Sequence, residues 1–183
     1  YDNIARSNSD INIQTYPEEI LNEYQNVPNL LWLKDGIEIA TQRKWNVGYD
    51  VESQRITFPI RTPTGEIMAI KGRANFELSE FEPKYLFLKQ GPMSQTLFGF
   101  SENYDSLYGE DILIFESEKS CLLYQSYFGI ENDISVACCG SSISSFQIKL
   151  LMDLGAEEII VAFDRQFKER GDDEFKKLVK NLI

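Results

Sequence analysis

Two acids stand where a carboxylate can act on a substrate or hold a cation. Glu116 directly follows the apolar run Ile112-Leu113-Ile114-Phe115, and Asp164 directly follows Glu158-Ile159-Ile160-Val161-Ala162-Phe163. They lie 48 residues apart, but if the two runs are strands of one sheet the acids converge at a single edge. Convergent carboxylates are the hard oxygen ligands that Mg²⁺ or Mn²⁺ prefers, with waters and substrate phosphates completing the octahedron. The same acids would serve equally well as caps on the helices that follow, where the orphan N–H groups and the dipole favour Asp and Glu. Pattern alone leaves both readings open. There is no histidine, which excludes His-based triads, imidazole acid/base chemistry and His-containing metal sites. Cys121, Cys138 and Cys139 show no CxxC spacing and sit in apolar runs, as free thiols of a reduced cytoplasmic protein do.

The elements that must position these acids read strand, helix, strand, helix, strand: 112–115, 118–128, 134–138, 144–154 and 158–163. The strands are short continuous apolar runs, as expected of strands covered on both faces, and the alternation implies a parallel sheet. Reactive groups belong just past the carboxyl ends of such strands, where Glu116, Gly140-Ser141-Ser142 and Asp164 fall. Before residue 110 the periodicity differs. Tyr16–Tyr24 has helical spacing with Pro17 in its first turn, and a second short helix fits 37–44. Arg55–Ile60 and Glu66–Lys71 flank Thr62-Pro63-Thr64-Gly65 as a β-hairpin, with Pro59 marking an edge or a bulge. Trp32 and Trp45 are assigned to packing. The expected class is α/β: an α+β amino-terminal part over 1–110 and a parallel-sheet α/β part over 111–183.

The chain carries a formal charge of −11, with 43% hydrophobic and 26% charged residues, the composition of a globular protein. No apolar run approaches the ~20 residues a membrane-spanning helix needs. The acidity is uneven: residues 34–89 hold nine Lys/Arg against eight Asp/Glu, whereas residues 111–183 hold eight against thirteen. A less acidic, Arg-bearing half thus precedes the half with the candidate metal ligands, although solvated charges would give the same count. The opening Tyr1-Asp2-Asn3-Ile4-Ala5-Arg6 lacks an initiating Met and the order of a signal peptide, so the chain reads as an excised piece of something longer.

Leu113-Ile114-Phe115-Glu116-Ser117-Glu118-Lys119-Ser120, followed by Ile160-Val161-Ala162-Phe163-Asp164, resembles the TOPRIM fold shared by bacterial primases, type II and IA topoisomerases and some nucleases. Upstream, Gly48-Tyr49, Ile56–Arg61, Gly65, Lys71-Gly72-Arg73, Pro83-Lys84-Tyr85 and Leu97-Phe98-Gly99 resemble, in that order, the RNA-polymerase domain of bacterial and phage-type DNA primases. The likeness covers roughly residues 30–175 and is nearest to the phage and mobile-element branch. It implies a nucleic-acid-binding amino-terminal subdomain, 1–110, and a truncated TOPRIM metal-binding subdomain, 111–183. Two departures stand out. Where the family has Asp-x-Asp after the third strand, this chain has Asp164-Arg165-Gln166, and Ser117 replaces the usual Gly after the glutamate, as a cap for the helix starting near Glu118.

What the resemblance implies is metal-dependent nucleotidyl transfer that makes RNA primers on single-stranded DNA from NTPs. Glu116 and Asp164 would be catalytic metal ligands, with Gln166 a weaker third ligand for Mg²⁺ or Mn²⁺. Arg61, Lys71, Arg73 and Lys84 would meet template or nucleotide phosphates, and Tyr85 would stack on a base or pack in the core. Zinc is implied only for a module outside this chain, and a replicative helicase would be a partner through other regions. The later acids of the family are expected beyond Ile183, since Asp172-Asp173-Glu174 read as a helix start, so the isolated fragment is expected to fold without making primers. A TOPRIM nuclease and a replication-accessory module with a decayed metal site remain as alternatives, the latter resting on Gln166.

Overall fold

The computed structural model describes residues 13–163 and Lys176. The chain divides between Pro92 and Met93 into two compact units.

The amino-terminal unit is built on an antiparallel sheet of order β1–β2–β3–β4, comprising β1 (Gly48–Asp50), β2 (Arg55–Arg61), β3 (Ile67–Ala74) and β4 (Tyr85–Lys89). The β2–β3 hairpin is the one expected from sequence. Its loop closes through Thr62 N–H to the Glu66 carbonyl at 2.8 Å, and Gly65 supplies a left-handed φ of 98°. Pro59 lies in the second strand of the sheet, yet β1 faces only Arg55–Thr57, so at Pro59 that side of β2 has no strand neighbour and no donor is missed. The register also shifts between Ile60 and Arg61.

Two short helices, α1 (Leu30–Lys34) and α2 (Ile39–Lys44), pack on this sheet's core. The Asn29 side chain caps α1 by accepting from Leu31 and Trp32 N–H at 2.9 and 3.2 Å. Buried Gln42 ties the two helices by accepting from Asn29 N–H at 2.6 Å and donating to the Ile37 carbonyl at 3.0 Å. Trp32 and Trp45 are buried, and the Trp32 ring packs 5.9 Å from that of Phe58, as assigned from sequence. The segment expected as a helix over Tyr16–Tyr24 is a 3₁₀ helix, Glu18–Glu23. Both its flanks are pinned to the sheet, Tyr16 against Ile67 and Gln25 against Tyr49, and the span favours the longer rise of the 3₁₀ form.

The carboxy-terminal unit holds the parallel sheet, with order β6–β5–β7: β5 (Ile112–Phe115), β6 (Ser135–Ala137) and β7 (Ile159–Ala162). The intervening helices are α4 (Glu118–Phe128) and α5 (Ser145–Asp153), after a one-turn α3 (Tyr104–Leu107). Ser144 and Gln147 form a capping box on α5. The sequence periodicity changes near residue 110, whereas the compact unit begins at Met93. Leu97, Phe100 and Leu107 fill the same core as Ile112, Ile114 and Leu151, and Phe98 exchanges two 2.9 Å backbone bonds with Ala137. Gln147 Nε2, buried, donates to the carbonyls of Met93, Thr96 and Cys138 at 3.1, 2.7 and 3.2 Å. A polar network seats β6. Buried Asp133 accepts from Ser135 N–H at 3.0 Å, Ser135 Oγ at 2.6 Å and Gln125 Nε2 at 2.7 Å. Burial pushes the Asp133 carboxyl above the ordinary aspartate value, against the pull of these hydrogen bonds.

Candidate functional site

β5 is the central strand, and its last residue, Phe115, faces Ala137 of β6 and Ala162 of β7 in register. Glu116, Cys138 and Phe163 are therefore the first residues past the three strands, all at the carboxyl edge. Glu116 is half-buried there. Glu118, in the first turn of α4, is buried, an acid that the residue pattern had not singled out. Burial pushes the Cys138 thiol up to about 11, and the Glu116 and Glu118 carboxylates push it the same way. Two carboxylates thus stand near Cys138 at this edge. Asp164 and Gln166 lie outside the described residues. Among the described residues, no three His, Cys, Asp or Glu side chains group as a metal site. The donors named from sequence are all oxygens, and Glu116 at this edge fits a hard divalent cation rather than a thiophilic one.

Ser117 takes the N-cap position of α4 but its side chain makes no cap bond; the hydroxyl lies 3.0 Å from Ser120 Oγ instead. The cap expected there is absent because the two hydroxyls satisfy each other. This leaves the first N–H groups of α4 without a side-chain acceptor from Ser117.

In the amino-terminal unit the structure brings four of the five predicted contact residues together. Lys71 and Arg73 alternate onto one face of β3, and their cross-strand partners on β4 are Phe87 and Tyr85. Lys71 Nζ lies 4.9 Å from the Tyr85 ring centre and 5.6 Å from that of Phe87, while Lys84 Nζ lies 5.9 Å from Tyr85 on its own approach. Tyr85 is thus a half-buried ring with two ammonium groups close to it. Arg73 Nε is buried without a hydrogen-bond partner, an orphan donor on the same face. Arg61 does not join this cluster. At the hairpin end of β2 it pairs with the Glu18 carboxylate, donates to the Gly65 carbonyl at 2.8 Å and reaches Asn46 Oδ1 at 3.2 Å. The Arg61 hydrogen bond holds the Glu18 carboxyl below its usual value.

One residue that supports this cluster was not singled out from the sequence. Arg55, only 4% exposed, donates to the carbonyls of Pro83 and Lys84 at 3.0 and 3.2 Å and lies 5.6 Å from the Phe76 ring. It fixes the backbone from which Lys84 projects. Gly72 makes this crossing possible, since a Cβ there would stand 3.1 Å from Arg55 Cβ and 3.2 Å from its Cδ. The signal available in the sequence was that glycine, because Gly inside a strand marks a close approach.

No family model matches the chain. It is 30% identical over 183 residues to the SPbeta prophage-derived uncharacterized protein YorJ of Bacillus subtilis, covering 94% of this chain and 48% of that protein. The chain therefore spans about half the length of this curated relative. Among solved structures, the zinc-binding and RNA polymerase domains of the Aquifex aeolicus primase superpose with a TM-score of 0.72 at 18% identity, covering 90% of this chain and 50% of that one. A DnaG primase catalytic domain bound to ssDNA superposes with a TM-score of 0.64 at 17% identity, covering 81% and 62%. The α/β architecture, an antiparallel sheet followed by a three-stranded parallel one, is the fold of the bacterial primase catalytic core. The resemblance drawn from the motifs holds at the level of the fold.

Proposed function

We propose that this chain is the catalytic core of a DNA primase, joining ribonucleotides on a single-stranded DNA template. The observation that carries the reading is the β3–β4 face, which gathers Arg73, Lys84 and Tyr85 over the buried Lys71 in a chain of net charge −11. Arg73, half-buried, would turn its guanidinium to a phosphate oxygen, and Lys84, exposed and held by Arg55, supplies a second positive charge. A base would stack on Tyr85 by displacing the Lys84 ammonium, the longer of the ring's two cation contacts. This is the equipment of a strand-holding surface, and a solved relative of the same fold is a primase domain bound to ssDNA.

At the parallel-sheet edge, Glu116 and Asp164, with Gln166 as a weaker donor, would hold Mg²⁺ or Mn²⁺. The ion supplies charge neutralisation at a transferred phosphoryl group and acidifies a hydroxyl. Glu116 follows a strand paired along both edges, so its carboxylate is presented by rigid backbone. Nucleoside triphosphates are the substrates of this reading. A replicative helicase would engage other parts of the full-length protein. Among the described residues no helix is long and apolar enough to cross a membrane.

The test is Mn²⁺ titration followed by electron paramagnetic resonance on the wild-type chain and on Glu116→Gln. The amide keeps the shape and removes the charge, so Mn²⁺ affinity falls by about tenfold or more. Equal binding by the variant would remove Glu116 from the metal site.

A further inference from the structure

On the sheet face opposite Lys71 and Arg73, the amino-terminal unit contains a cavity of about 160 Å³. The faces follow from the register: Thr57↔Gly72 and Pro59↔Ile70 point one way, Ile56↔Arg73 and Phe58↔Lys71 the other. The cavity exists because β1 begins at Gly48 and covers β2 only as far as Thr57. Before Gly48 the backbone leaves the sheet through Asn46, whose φ is 50°, and the 3₁₀ helix brings Leu21, Asn22 and Tyr24 to the gap.

The corner is kept open by the absence of side chain and donor where either would interfere. A Cβ at Gly48 would stand 2.9 Å from the Gln25 carbonyl and 3.0 Å from Thr57 Oγ1. Pro59 has no N–H to leave unpaired in the gap. In size the space matches one flat ring, since a cavity of about 150 Å³ accommodates benzene. Its chemistry differs from that of a hydrocarbon pocket. No charged side chain lines it, and the polar groups are the carboxamides of Asn22, Asn26 and Asn46 with the hydroxyl-bearing Thr57 and Tyr24.

Arg61 can only donate, and its bond to Asn46 Oδ1 at 3.2 Å turns the Asn46 Nδ2 donors elsewhere. The carboxamides of Asn22 and Asn26 have no hydrogen-bond partner among the described residues. A carboxamide presents a donor and an acceptor side by side in one plane, the complement of a nucleobase edge. The cations nearby are already matched by acids: Arg61 by Glu18, and Lys89 by Glu23 at 2.9 Å. Nothing here attracts a phosphate.

We propose that this cavity binds one uncharged nucleobase, read by the Asn22, Asn26 and Asn46 carboxamides and held between the apolar walls of Leu21, Pro59 and Ile70. The base arrives either in a free nucleoside or as an unstacked base of single-stranded DNA, and the pocket is independent of the strand-holding face on the other side of the sheet.

The test titrates the whole chain with adenosine, guanosine, cytidine and uridine, and separately with short oligodeoxynucleotides, following the backbone amides of Asn46, Gly48 and Thr57 by NMR. At least one nucleoside produces saturable shifts at these amides with a Kd of about 10 mM or tighter, and inorganic phosphate produces none. Asn46→Asp keeps a residue that tolerates left-handed φ and still accepts from Arg61, but replaces the donors with an acceptor, so affinity for the preferred base falls about tenfold or more. The double variant Asn22→Ala/Asn26→Ala, at exposed positions on and just after the 3₁₀ helix, lowers it similarly, while Arg73→Ala/Lys84→Ala leaves it unchanged. If oligonucleotides shift the same amides, the source is a strand; if only nucleosides do, it is a free metabolite. No saturable shift by any nucleoside, or binding that survives both asparagine variants, overturns the proposal.

Discussion

Replacing Gly72 with Ala tests why the Lys71-Gly72-Arg73 segment has the form it does. The new Cβ would sit 3.1 Å from Arg55 Cβ, 3.2 Å from Arg55 Cδ and 3.4 Å from Leu88 Cδ1. Arg55 cannot swing aside cheaply, because its guanidinium is tied to the Pro83 and Lys84 carbonyls and buried beside Phe76. Overpacking of this kind costs about 1–3 kcal/mol, offset by about 0.5–1 kcal/mol from the reduced freedom of the unfolded chain. The net expectation is a loss of about 1–2 kcal/mol. Arg55→Ala alone costs about 2–3 kcal/mol, the range for hydrogen bonds from a charged donor, because the Pro83 carbonyl is left without its partner. Lys84 O keeps its bond from Ala74 N–H at 2.9 Å. In the double variant the guanidinium anchor is gone and the Cδ contact with it, so the two costs are not additive and the cycle returns a coupling of about 0.5–1.5 kcal/mol. The assay is urea unfolding followed by tryptophan fluorescence. Both tryptophans of the chain, Trp32 and Trp45, are buried in the amino-terminal unit, so the signal reports that unit alone. Strict additivity, or a Gly72→Ala variant as stable as wild type, would refute the role given to this crossing.

Gly91→Ala places a Cβ 2.3 Å from the Met68 carbonyl oxygen, a backbone clash that costs about 3 kcal/mol or more in the same urea assay. Asp133 has a folded-state carboxyl raised by burial, so the folded chain holds its proton more tightly than the unfolded one. Its contribution to stability is full below the unfolded aspartate value and is lost as pH rises through the higher folded value. Hydrogen exchange at β6 amides should therefore show protection falling with pH over that window, and Asp133→Asn should flatten the dependence. Arg61→Ala should leave ssDNA affinity within about twofold of wild type, because Arg61 is committed to Glu18, Gly65 and Asn46; fluorescence anisotropy with a labelled oligonucleotide checks this.

The parts of the fold legible in the sequence were those with an unbroken period. The apolar runs 112–115 and 158–163 and the helix 118–128 between them could be bounded because each run is continuous, but the covering on both faces expected of them fails at β7, where alternate residues such as Ile160 are exposed. The β2–β3 hairpin was legible through Gly65 and the turn around it. The Tyr85–Lys89 strand lay unrecognised as a strand, although Pro83-Lys84-Tyr85 had been marked, because a five-residue strand carrying Lys at its end has too short an alternation to register. Helix α1 was missed for a related reason: of its apolar residues only Trp32 is buried, while Leu30, Leu31 and Leu33 are exposed, so no stripe appears. At the candidate site the family resemblance grouped Arg61 with Lys71, Arg73, Lys84 and Tyr85; the structure gathers the last four and sets Arg61 apart, because sequence cannot show that Glu18 pairs with it. Arg55 was invisible as a positioning group because its partners are carbonyls, which every residue carries.

The measurement that bears most directly on the account is the salt dependence of ssDNA binding by the wild-type chain and by Arg73→Ala/Lys84→Ala. In a chain of net charge −11, the described cluster of cations around Tyr85 is the surface assigned to meet phosphates. Log affinity should fall linearly with log salt for the wild type, with a slope of roughly −0.7 per phosphate contacted, and the double variant should lose most of both affinity and slope. Binding with an undiminished slope in the double variant would contradict it, placing the strand somewhere other than the β3–β4 face.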